Sequence, residues 1–261
     1  MHTRGQVGRG PHGNAKAAIF PWDVEAIEIT ADDFHMRTLS LPTWSHLEVA
    51  TKQSTSVGAG GDFFEVFQNR DGRVSTVIAD VCGKGMAAAR VVSVVRPILQ
   101  QCLARGHAPG VVLEAVNDWL ARQDAHDTFV TAVAVRIDVR DGHTEIASAG
   151  HLGPFLRRRS GDVESVTPQG GVPLGMLRSQ SYQEVTMDLS PHDSVVLVTD
   201  GVTDPLATEA DLLGERGLLA LLARAPYGTH EICHALLADS ATDRDDATVL
   251  VLQLPGRAAP L

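Results

Sequence analysis

The stretch Val77 to Arg90, VIADVCGKGMAAAR, constrains the fold most, because strand, turn and helix signals follow one another without a gap. The apolar β-branched run ending at Ala79 predicts an interior strand. Gly83 and Gly85 let the backbone turn sharply or approach a ligand, and Met86 to Ala89 are strong helix formers. Asp80 therefore stands where a strand leaves the core, with its carboxylate on a rigid edge. Alone, the pattern also fits an Asp that merely opens a turn.

Three further stretches repeat the arrangement. GGDFF at Gly60 to Phe64 sets Asp62 just before the run Phe63 to Phe67. VVLVTDGVTD at Val195 to Asp204 puts Asp200 at the end of another apolar strand, and RDDATVLVLQL places Asp245 and Asp246 just before a last one. Asn69, Asp71 and Gly72 are turn signals between Phe63–Phe67 and Val74–Ala79, which makes those two runs a hairpin. In an antiparallel hairpin the residue before the first strand lies beside the residue after the second, so Asp62 neighbours Asp80. The same holds for Asp200 and Asp245, provided their strands pair antiparallel. If the two pairs also face each other, at least four carboxylates gather at one edge. Carboxylates so placed raise one another's pKa unless cations stand among them. An all-oxygen donor set suits Mg²⁺ or Mn²⁺ rather than thiolate-held zinc.

GGDFFEVF, ADVCGKGMAAA, SAGH at Ser148 to His151, PLG at Pro173 to Gly175, TDGVTD and DDATVLVL occur in one order along the chain. In that order they resemble the metal-dependent, PP2C-like protein phosphatases of the PPM type. Within these, they resemble the bacterial branch of sporulation and stress-response phosphatases that act on anti-sigma factor antagonists. The resemblance runs from about Leu41 to Leu254. It implies hydrolysis of phosphoserine or phosphothreonine by water activated between two divalent cations, Mn²⁺ or Mg²⁺, with no protein nucleophile. By resemblance Asp80 bridges both ions, Asp62 and the carbonyl of Val81 serve one, and Asp200 and Asp245 serve the other. Gly61, Gly201 and Asp246 stand behind these ligands, Asp246 orienting a ligand or water. The implied substrate is a phosphorylated protein such as a STAS-type anti-sigma factor antagonist, and a homodimer is compatible with it. His151 matches the histidine of the family's AGH motif; SAGHLGP is equally a tight turn with a hydrogen-bonded ring, and that role is taken ahead of general acid. The FYD that often follows GGD is FFE here, which changes local hydrogen bonding at Phe64 and Glu65 but touches no assigned ligand. Two alternatives stand beside this function: a non-catalytic metal-binding regulatory module, and a broad-specificity phosphatase unconnected with sigma-factor control.

The remaining features set bounds. A net charge of −10 argues against nucleic acid or an anionic membrane as general partners. Three cysteines, Cys82, Cys102 and Cys233, are odd in number and widely spaced, which argues against a disulfide framework and fits the cytoplasm. No apolar run is long enough to span a bilayer. Residues 1–19, rich in Gly and basic side chains, are expected to be a mobile tail. Residues 20–40 form an extension that reads as helix or strand, and 41–261 form the phosphatase domain. Helices are expected at Met86–Gln101, kinked or shortened by Pro97, at Pro109–Arg122, near Leu218–Ala225 and at His230–Ser240. Further strands are expected at Leu47–Thr51, Thr128–Asp138, His143–Ser148, Phe155–Arg159, Glu164–Thr167, Gln183–Leu189, Ser194–Thr199 and Ala247–Leu254. The tally suits an α+β fold of two packed, mainly antiparallel sheets with helices outside, the αββα sandwich of the resembling family.

Overall fold

The computed structural model describes residues 47–54, 61–69, 71–83, 85–123, 128–166, 168, 171–207, 214–237, 246–254 and 256. The expected tail and extension, residues 1–40, and Asp245 lie outside them. The described strands are β1 (Glu48–Ser54), β2 (Asp62–Gln68), β3 (Arg73–Val81), β4 (Val130–Asp138), β5 (His143–Ala149), β6 (Phe155–Arg157), β7 (Val163–Ser165), β8 (Glu184–Asp188), β9 (Ser194–Val198) and β10 (Ala247–Gln253). The helices are α1 (Met86–Ala104), α2 (Pro109–Leu120), the single turn α3 (Asp200–Thr203), α4 (Glu215–Arg224) and α5 (Thr229–Leu237). One five-stranded sheet runs β2-β3-β4-β5-β8 and the other β1-β10-β9-β6-β7. All pairings between these strands are antiparallel.

Side-chain alternation along the strands builds four layers. On β3, Val77, Ala79 and Val81 join Val95, Leu99 and Leu103 of α1 and Val112, Leu113 and Val116 of α2 in one core. Val74 and Ile78 face the other way, meeting Leu250 and Leu252 of β10 and Val195 and Leu197 of β9. Val196, Val198, Val249 and Val251 point outward again, onto Leu218 and Leu222 of α4 and Ile232 and Leu236 of α5. The period-two pattern of a strand buried on both faces thus gives helix, sheet, sheet, helix. Each fully buried aliphatic side chain contributes about 1.5–3 kcal/mol. The αββα architecture expected from the sequence is the one found.

Two local differences have physical causes. Helix α1 passes through Pro97 and ends at Ala104, beyond the expected Gln101. Pro97 lies on the exposed side of the helix, while Leu99 and Leu103 continue the buried stripe. Strand β6 stops at Arg157 because Arg158 already begins the turn, its N–H donating to Asp162 O and its carbonyl accepting from Gly161 N–H.

Among the described strands the chain changes sheet four times, from β1 to β2, β5 to β6, β7 to β8 and β8 to β9. Gly150 to Pro154 makes the β5–β6 crossing, and Leu189 to Asp193 the one from β8 to β9.

Candidate metal centre

The β2–β3 hairpin sets Asp62 directly opposite Asp80, and Asp80 in turn opposite Thr131 of β4. By alternation both carboxylates share the face of Phe64 and Ile78, which looks into the space between the sheets. On the facing sheet, Thr248 shares the face of Leu250, and Thr199 continues the face of Leu197 just past the end of β9. The two threonines meet Asp62: Thr199 Oγ1 donates to its Oδ2 at 2.6 Å and Thr248 Oγ1 to the same oxygen at 2.8 Å. Thr199 Oγ1 also accepts from the N–H of Thr248 at 2.9 Å, which fixes its hydroxyl proton toward the carboxylate. The pairing of β9 with β10, assumed in bringing together the motifs that carry Asp200 and Asp245, is antiparallel.

Asp246 closes the arrangement from the start of β10. It is buried, and its Oδ2 accepts the N–H of Gly61 at 3.1 Å. Burial pushes the Asp62 carboxyl up to about 8, with the charges of Asp80 and Asp246 adding to the rise and the threonine hydroxyls opposing it. A carboxyl so displaced marks a place where burial and neighbouring carboxylates disfavour the charged form, which is where a bound cation would be stabilised.

The backbone leaves room there. A Cβ built on Gly61 would stand 2.7 Å from Val81 O and 3.1 Å from Asp80 Oδ1, so any side chain at 61 would fill the space between that carbonyl and that carboxylate. Gly201 has a different reason: its Cβ would lie 1.9 Å from Asp246 O, and only glycine lets α3 pass so close to β10. Asp200 heads α3 and is exposed, one residue from Thr199. Among the described residues no three His, Cys, Asp or Glu side chains converge on a single point. The fit to a hard cation therefore rests on the oxygen donors, the repulsion among them and the room at Gly61.

His151 lies on the crossing segment between β5 and β6. Its Nε2 meets Val198 O at 3.0 Å, on one sheet, and its Nδ1 meets Thr131 Oγ1 at 2.8 Å, on the other. A carbonyl accepts only, so Nε2 carries the proton, and burial lowers the ring's pKa to about 4. The neutral ring then accepts the Thr131 hydroxyl at Nδ1. Ser148 Oγ holds the same turn, donating to His151 O at 3.1 Å.

Sequence reasoning passed over Thr199, Thr248 and Thr131. The signal for two of them was available: Thr199 adjoins Asp200 in TDG, and Thr248 is two residues from Asp246, on the same strand face. Glu65, which stands at the FFE departure, points away from this site. It is buried against α1, accepting from Arg96 Nε and from Gln100 Nε2 at 3.2 Å. Cys82 is exposed, and none of the three cysteines forms a disulfide.

Comparison with known proteins agrees with this frame. A profile of the family described as Stage II sporulation protein E matches residues 70–255. Phosphoserine phosphatase RsbP of Bacillus subtilis is 24% identical over 166 residues, covering 62% of this chain and 41% of that protein, so the chain spans about two fifths of its relative's length. The solved RsbU and RsbW domains of Rv1364c from Mycobacterium tuberculosis share the fold with a TM-score of 0.70 and 24% identity, over 83% of this chain and 62% of that one. RsbX, solved in complex with magnesium, shares it with a TM-score of 0.64 and 19% identity, over 80% of this chain and 96% of that one. With its motifs, its αββα layers and a profile match over most of its length, this chain belongs to the Stage II sporulation protein E family.

Proposed function

We propose that the chain is a metal-dependent protein phosphatase acting on phosphoserine or phosphothreonine, with a phosphorylated STAS-type anti-sigma factor antagonist as its substrate class. The observation that carries this is the pairing of Asp62 with Asp80 across the hairpin, with Asp246 held on the Gly61 N–H beside them and Gly61 leaving space beside Asp80 and the Val81 carbonyl. Membership of a family with a named phosphoserine phosphatase among its relatives supports the reaction class, and the magnesium complex of RsbX supports the ion class.

Asp80, Asp62, the Val81 carbonyl, Asp200 and Asp245 would hold two divalent cations, Mg²⁺ or Mn²⁺. Such ions, when bound, supply Lewis acidity that yields a nucleophilic water near neutral pH and offsets charge on the phosphoryl group. The chain's own part is positional. Thr199 and Thr248 hold Asp62 Oδ2, Asp246 holds the backbone of Gly61, and no Ser, Cys or His is needed as a nucleophile. His151, neutral and engaged at both nitrogens, ties the sheets behind the carboxylates and is assigned no proton transfer. We take the phosphatase domain as 41–261, preceded by the 20–40 extension and the 1–19 tail, and place the protein in the cytoplasm, where cysteines outside disulfides persist. Among the described residues no helix is long and apolar enough to cross a membrane.

Hydrolysis of p-nitrophenyl phosphate in Mn²⁺, abolished by excess chelator and restored by added Mn²⁺, is the expected result. Full activity in chelator would sink the metal assignment, and no hydrolysis under any divalent cation would sink the enzyme.

A further inference from the structure

We propose that Met176 and Leu177, with Met86 across from them, form the surface on which the phosphoprotein substrate docks around its phosphoserine; this rests on the phosphatase function proposed above. Met176 is 56% exposed, Leu177 52% and Met86 70%, an unusual display of large apolar side chains. Their backbone is nevertheless held in place. Asn117, fully buried on α2, accepts the N–H of Gly175 at 2.9 Å and donates to Leu177 O at 3.0 Å, and Tyr182 Oη donates to the same Asn117 oxygen at 3.3 Å. Apolar side chains on a backbone fixed from beneath have already paid the ordering cost that a mobile loop would meet on binding.

The position of this loop makes it part of any protein complex at the carboxylates. Leu174 exchanges both backbone hydrogen bonds with Val130, at 3.1 and 2.8 Å, and Val130 is paired in register with Val81. At roughly 4.8 Å per strand, the start of the loop lies about 10 Å from Val81. Even a weak, transient protein complex buries roughly 600 Å² on each side, a disc about 14 Å in radius. A protein that presents phosphoserine to Asp80 therefore reaches the start of this loop at Leu174, two and three residues before Met176 and Leu177. A small phosphate ester at the same carboxylates does not reach them. Met86 opens α1 at the same end, because α1 and α2 are joined by the short connection Arg105–Ala108 and Gly175 packs on Leu120 at the far end of α2. Arg178 next to Leu177, and Arg90 one turn along α1 from Met86, are exposed and place positive charge beside the apolar residues in a chain of net charge −10. An apolar patch with arginines at its edge suits a folded phosphoprotein surface.

The test compares kcat/KM on a phosphorylated STAS-type anti-sigma factor antagonist with kcat/KM on p-nitrophenyl phosphate, for wild type, for Met176→Ser with Leu177→Ser, and for Met86→Ser. The expected result is a fall of about tenfold in the ratio of the two constants, mostly through KM for the protein, with an unshifted melting temperature. Asn117 holds backbone atoms of the loop, so the serine variants keep its bonds. An unchanged ratio in both variants would overturn the proposal, as would a changed oligomeric state at constant ratio, which would assign the patch to a second copy of the chain. Wild-type protein that hydrolyses p-nitrophenyl phosphate but not the phosphoprotein would overturn the docking partner alone. Wild type inactive on both would overturn the phosphatase function and the docking surface with it.

Discussion

Asp62 carries a conflict that only its surroundings create. An ordinary aspartate is ionised at neutral pH, but this one is buried beside Asp80 and Asp246, and its carboxyl is held near 8. Its folded pKa lies above its unfolded one, so its contribution to stability is complete below about 4 and is lost as pH rises through about 8. In chelator, Asp62→Asn should therefore gain on wild type by about 4 kcal/mol between pH 5 and pH 8. Urea titrations at the two pH values measure the gap, and a constant gap would show that Asp62 does not titrate there. His151 runs with the opposite sign. Its folded pKa, near 4, lies below the ordinary imidazole value of 6.5, so the stability it confers is complete above 6.5 and drains away as pH falls toward 4. His151→Ala should cost about 2–4 kcal/mol from the lost ring and bonds, and should flatten that acid limb. It should also slow p-nitrophenyl phosphate and phosphoserine substrates by similar factors. A loss confined to phosphoserine, in a variant that melts normally, would return His151 to the role of general acid.

At the scale of elements, the contact between β2 and α1 is the one with most at stake. Glu65 is buried, and burial pushes its carboxyl up while Arg96 and Gln100 draw it back. One strand thus uses its inner face for Asp62 and its outer face to anchor the helix that follows the Asp80 turn. Arg96→Met should destabilise the domain by about 2 kcal/mol, because Glu65 stays behind without its cation; Arg96 is itself about one third exposed, which keeps the figure below that of a fully buried pair. The loss should grow as pH rises and Glu65 ionises. A urea midpoint unchanged at pH 8 would show that Gln100 alone suffices. The hairpin β2–β3 behaves as its turn residues and alternation require, and the pairing of β9 with β10, which helices α3 to α5 separate in the chain, is antiparallel as assumed from the sequence. Helix α1 outlasts Pro97 because the apolar stripe beyond it, Leu99 and Leu103, buries enough surface to offset one missing backbone bond.

For the whole molecule, the sandwich brings the carboxylate-bearing motifs of Asp62, Asp80, Asp200 and Asp246 to one end, and the proposed cations would offset the repulsion among them. Mn²⁺ should raise the melting temperature of wild type by mass action, and Asp62→Asn should lose most of that rise. An equal rise in the variant would remove Asp62 from the ion site. Strand and helix positions were legible from the chain alone, because period two and period 3.6 are local properties of sequence. So was the neighbourhood of Asp62 and Asp80, because a short hairpin fixes its own register. Other features waited for the tertiary structure, since they depend on how one sheet lies on the other. The threonines on Asp62 come from strands 137 and 186 residues away in sequence. The tautomer of His151 is set by a carbonyl on the opposite sheet, and the loop with Met176 and Leu177 is placed near the carboxylates only by its bonds to Val130 and Asn117. The chain by itself determined which residues stand at strand ends and which face each turns to the core; sheet-on-sheet packing decided which of those ends meet, because no local rule fixes contacts across a closed core.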